Sequence, residues 1–124
     1  QVDEFKSEEM ILDIIPQAFE RFKSKKNQIG FNTQTKLFIN ISEESDLLIT
    51  LSNSPTYEIV SNKFYKNCNL FVRLSLDNRL LFNLLSGPRY AHWNNAEVGS
   101  HLSFSRYPDI FERGLYHCLY FLHI

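Results

Sequence analysis

A chain of 124 residues that is 44% apolar and 15% aromatic can bury one core without metal or disulfide support, and it is too apolar for a disordered segment. A formal charge of −1 with a pI near 6.5 leaves no basic face for nucleic acid. No apolar run approaches the roughly 20 residues that span a bilayer, so no membrane span is expected.

Residues 5–26 read as helix. Met10, Ile11, Ile14, Ile15, Phe19 and Phe22 recur at three- and four-residue spacings on one stripe. Pro16 implies either a kink or two helices with proline opening the second. Lys23, Lys25 and Lys26 suit a solvated C-terminal turn facing the negative end of the helix dipole, and Gly30 marks the break.

The period then changes to two. Lys36–Ile41, Asp46–Leu51 and Tyr57–Val60 read as short strands joined by polar turns, which favours antiparallel hairpins. Asn69–Leu76 is the clearest strand, with Leu70, Val72, Leu74 and Leu76 on one face and Phe71, Arg73 and Ser75 on the other. Asp77 caps a short helix whose buried stripe is Leu80, Leu81, Leu84 and Leu85, and Gly87-Pro88 ends it. His101–Arg106 alternates as a further strand. Pro108-Asp109 opens a last helix with Ile110, Phe111, Leu115, Cys118, Leu119 and Leu122 inward. The order implies an α+β fold, a largely antiparallel sheet of about five strands with helices on one face, as a single domain over residues 1–124.

Functional side chains concentrate between Gly87 and His101. Arg89, Tyr90, His92, Trp93, Asn94, Asn95, Glu97 and His101 fall within this stretch. His92, Glu97 and His101 raise a metal or acid/base reading, but their spacing is not that of a helical zinc motif with histidines four apart. The plainer reading has Trp93 anchoring the loop while the polar groups meet solvent and backbone. His117 and His123 lie six apart and share no helix face, and Cys118 falls in an apolar stripe. No nucleophile elbow or phosphate-binding glycine loop is present. The expectation is therefore no catalytic residue, no metal and no cofactor in this chain.

Arg73 and Arg106 fall on strands, where they serve either solubility or an anion or partner contact. Eleven phenylalanines either fill the core or line an apolar pocket, with Phe38, Phe71, Phe104 and Phe111 the candidates to face one. Cys68 and Cys118 read as free thiols of a reducing cytoplasm. The opening at Gln1 within a charged helical stretch, and the apolar ending Phe121-Leu122-His123-Ile124, suit the C-terminal domain of a longer protein.

The run from Leu74 to Gly87, with Ala96 and Gly99 beyond it, resembles the sterol-carrier-protein-like domain over about residues 35–106. That resemblance implies a five-stranded sheet, helices on one side and an apolar cavity between them. The stretch Gly87–Ile124 is similar to C-terminal regions of metallo-β-lactamase-fold hydrolases, through Trp93–His101, Pro108-Asp109 and Gly114-Leu115-Tyr116. This second resemblance implies an accessory role beside a catalytic domain that holds the zinc. No His-x-His-x-Asp-His sequence occurs here, so no catalytic residue of that family carries over. The partners implied are an upstream catalytic domain or a homodimer partner. The competing readings are a carrier of a lipid or other apolar small molecule and a stand-alone enzyme using His92, Glu97 and His101.

Overall fold

Residues Val2–Ile29 form one helix, α1, which runs through Pro16 rather than breaking there. A computed structural model of the chain describes residues 2–87, 89, 93, 103–107 and 112–124, and of residues 2–7 the backbone alone. An interior proline costs a helix about 3 kcal/mol, through a lost N–H donor and a clash with the preceding turn. Ile11 and Ile15 before it, and Ala18, Phe19 and Phe22 after it, are all buried. Each large apolar side chain so buried contributes about 1.5–3 kcal/mol, so the stripe outweighs the proline. Gly30, at φ 68°, stops the helix and donates its N–H to the Lys26 carbonyl at 3.0 Å.

Lys26 departs from the sequence expectation. It is only 2% exposed, and its ammonium donates to Asn32 Oδ1 at 2.6 Å. A last-turn lysine that looks solvated in sequence is folded in because the chain doubles back beneath it and supplies an acceptor.

Strands β1 (Lys36–Asn40), β2 (Ser45–Ile49) and β3 (Tyr57–Ser61) form an antiparallel meander. The chain then crosses the sheet through a short 3-10 turn, Phe64–Asn67, and enters β4 (Phe71–Ser75) parallel to β1. Helix α2 (Asn78–Ser86), strand β5 (Ser103–Tyr107) antiparallel to β4, and helix α3 (Arg113–Leu119) complete the order. The sheet runs β3-β2-β1-β4-β5, so the α+β class and the largely antiparallel five-stranded sheet are as the sequence implies. His101 and Leu102, predicted to start the last strand, and Pro108–Phe111, predicted to start the last helix, lie outside the described residues.

Register settles which face the helices cover. Phe19 of α1 meets Tyr57 with ring centroids 4.8 Å apart, and Tyr116 of α3 meets Phe104 at 5.3 Å. Tyr57 pairs with Ile49, and Phe104 with Leu74. The helices therefore cover the face carrying Leu37, Ile39, Leu47, Ile49, Val72 and Leu74, which with Leu81, Leu84 and Leu85 of α2 make one core. The opposite face is partly roofed by the crossover. Phe38 is fully buried there among the rings of Phe64, Tyr65 and Phe71, at 6.2, 6.2 and 6.5 Å. β1 is thus buried on both sides.

Helix α2 follows the sequence signals closely. The Asp77 carboxylate accepts from the N–H groups of Arg79 and Leu80 at 3.1 and 3.2 Å. Gly87 closes the helix at φ 118°, and a Cβ there would stand 3.3 Å from the Ile124 carbonyl. The tail docks at this point, where the Ile124 N–H donates to the Leu85 carbonyl at 2.8 Å. No helix among the described residues is long and apolar enough to cross a membrane.

Candidate functional site

Within the segment predicted to carry function, 88–101, Trp93 is held at this corner of the fold. The indole is 2% exposed, and its Nε1–H donates to the Leu122 carbonyl at 3.1 Å. A buried indole needs an acceptor, and the tail supplies one. The tail is in turn tied to α2 by the Ile124–Leu85 bond, so Trp93, the end of α2 and the tail form one corner. Arg89 is exposed at the start of the segment. Tyr90, His92, Asn94, Asn95, Glu97 and His101 lie outside the described residues.

The tail carries further aromatic and cationic contacts. The Lys25 ammonium lies 4.6 Å from the Phe121 ring centroid, and the His117 and His123 rings lie 5.7 and 6.2 Å from it. Cys118 is fully buried beside this group. Burial pushes its thiol above the usual range, while Lys26 and Lys25 pull the other way. The net direction is upward, which suits a packing thiol and not a nucleophile.

The two strand arginines are both engaged within the chain. Arg73 donates from Nε and Nη2 to the two carboxylate oxygens of Asp46 at 2.8 and 3.0 Å, and lies 4.8 Å over the Tyr65 ring. The Asp46 hydrogen bond is the main cause that raises the Arg73 pKa further. Asn40 Nδ2 donates to Asp46 Oδ1 at 3.0 Å, so a fully buried carboxylate has three donors. Arg106 donates to the Tyr116 hydroxyl at 2.8 Å and helps seat α3 on β5.

Of the four phenylalanines expected near a cavity, the three among the described residues lie on two different faces of the sheet. Phe104 lies on the helix face against Tyr116. Phe38 and Phe71 occupy the opposite face beneath the crossover, so they do not line the space between sheet and helices. Alternation already set Phe71 apart from Val72 and Leu74, but without the pairing between strands the sequence could not say which face the helices cover. Phe111 lies outside the described residues.

One polar cluster was invisible in the sequence. Thr33 Oγ1 donates to Glu112 Oε1 at 2.6 Å and Thr35 Oγ1 donates to Glu112 Oε2, joining the entry to β1 with the start of α3. The partners lie 79 and 77 residues apart, and no local pattern links them. Among the described residues no group of three or more His, Cys, Asp or Glu is placed to hold a metal ion. Comparison of the chain with protein-family models, with curated proteins and with solved structures finds no match.

Proposed function

We propose that this chain is a non-catalytic accessory module that works beside a metallo-β-lactamase-fold hydrolase, through dimer or substrate-pocket contacts made by its 88–101 segment. One observation carries the reading. Trp93, within the part of the chain richest in functional side chains, is held at a hydrogen-bonded corner, with Arg89 at the surface. A fixed aromatic anchor limits the entropy a binding surface loses on association. Two other charged groups that might have served chemistry are taken up internally, Arg73 by Asp46 and Glu112 by two threonines. The resemblance of residues 87–124 to the ends of such hydrolases supports the choice of partner. Two free thiols suit a reducing, cytoplasmic setting.

Light scattering of the purified chain, and its titration against a metallo-β-lactamase-fold hydrolase domain, test the reading. Association that Arg89→Glu weakens about tenfold is expected. No association with either partner, together with stoichiometric uptake of a fluorescent fatty acid, would replace this reading with that of an apolar-ligand carrier. Phe38 and Phe71 lend that alternative no support, since they face away from the helices.

A further inference from the structure

Away from the 88–101 segment, the end of the sheet where β1 begins, β2 ends and the crossover enters β4 holds a groove of about 780 Å³. That volume lies within the roughly 300–1,000 Å³ of small-molecule sites. Its lining is chemically one-sided. Lys36 is the one charged side chain among the lining residues, and Gln34, Asn67 and Asn69 bring three carboxamides. Among the described residues, none of these four side chains has a hydrogen-bond or ion-pair partner.

The groove's threonine hydroxyls are different, because they are already committed. Thr33 and Thr35 donate to Glu112, which also ties that carboxylate down, and the hydroxyls of Thr50 and Thr56 meet at 3.0 Å. The free capacity of the groove is therefore one ammonium, the Ser54 hydroxyl and three solvent-exposed amide groups that both donate and accept. The Phe64 ring flanks them and is 40% exposed.

We propose that this groove binds a small polyol bearing one carboxylate or phosphate group. An apolar ligand would displace water from Lys36 and from the exposed amides of Gln34, Asn67 and Asn69 and offer them no hydrogen bond in return, which is costly. A neutral polyol would satisfy the amides and leave the Lys36 ammonium unanswered. A singly charged polyol meets both demands. Its acid group pairs with Lys36 as a charge-assisted contact, and its vicinal hydroxyls exchange hydrogen bonds with Gln34, Asn67 and Asn69. Its C–H face lies on Phe64. A single lysine with no second cation in the lining points to modest affinity and to a small ligand, not to a polyanion. The inference is independent of the reading given for the 88–101 segment.

Glucuronate, glucose 6-phosphate, glucose and inorganic phosphate are the probes, titrated into the isotope-labelled full chain while backbone amide shifts are followed. Saturable shifts confined to residues 33–36, 50–56 and 67–70 are expected with glucuronate or glucose 6-phosphate by about 10 mM. Glucose should bind at least about tenfold more weakly, and Lys36→Gln should abolish the difference while leaving the rest of the spectrum in place. Whichever acid responds identifies the anion. Cys68, partly exposed in the groove, gives a second readout, since the same ligands should slow its alkylation by iodoacetamide. The proposal is overturned if neither acid gives saturable shifts, if glucose or inorganic phosphate matches them, or if Lys36→Gln responds like the parent.

Discussion

The Arg73 guanidinium meets the Asp46 carboxylate through two parallel hydrogen bonds of 2.8 and 3.0 Å, on the sheet face opposite the helices. Asp46 is fully buried and Arg73 partly so. Taking both charges out of water costs several kcal/mol, which the fork geometry and the Asn40 donor offset. Removing one partner is a different matter. Arg73→Ala should destabilise the fold by about 3–5 kcal/mol because it strands a buried carboxylate. The pair Asp46→Asn with Arg73→Met, which strands no charge, should cost clearly less. Urea unfolding of the three proteins decides, and a double variant as unstable as the single one would refute the argument.

Pro16 is the cheapest place to make this protein more stable. Its ring sits on the exposed side of α1 and interrupts a helix that packs well on either side. Pro16→Ala should restore the missing donor and raise stability by about 1–3 kcal/mol, less the extra freedom gained by the unfolded chain. A lower denaturation midpoint for the alanine variant would mean that the surrounding helix has adapted to the proline.

The two thiols should behave differently. Cys68 is partly exposed and Cys118 fully buried with its ionisation disfavoured, so a thiol reagent should find one fast group in the native protein and two after unfolding. The pH dependence has a definite sign. The folded pKa of Cys118 is raised, so above the unfolded thiol's value of about 8.5 the unfolded chain loses its proton first and stability falls as pH rises. A Cys118→Ala variant should lose this slope, although its stability at neutral pH should also be lower. Equal slopes in the two proteins would exclude Cys118 as the cause.

Trp93 is the sole tryptophan, so intrinsic fluorescence reports the anchor directly. Native emission should be blue-shifted and poorly quenched by iodide, with a red shift on unfolding. Trp93→Phe removes the donor to the Leu122 carbonyl and should cost about 1–3 kcal/mol. Native emission like that of a hydrated indole would contradict the anchor.

Much of the fold was legible because the signals were local. Asp77 and Gly87 delimit α2 through capping rules that need only a few neighbouring residues, and alternation in Phe71–Ser75 fixes the faces of β4. The parallel pairing of β1 with β4 was not, since short polar turns announce hairpins while a crossover gives no such sign. The unbroken run Leu37-Phe38-Ile39 was the available clue, because a strand buried on both faces loses its alternation. Lys26 was misjudged because it looks like surface charge until the fold brings Asn32 to it. Of the candidate site, Trp93 was readable as an anchor from its chemistry alone. The Glu112 cluster was not, because its threonines lie more than seventy residues away.

That the chain holds no chemical centre of its own is our proposal, and metal analysis of the purified protein tests it most directly. After loading with zinc or iron and gel filtration, the proposal predicts well below one ion per chain, less than about a tenth. One tightly held ion per chain that disappears in His92→Ala would contradict it, because the segment assigned here to surface contact would then be a metal site.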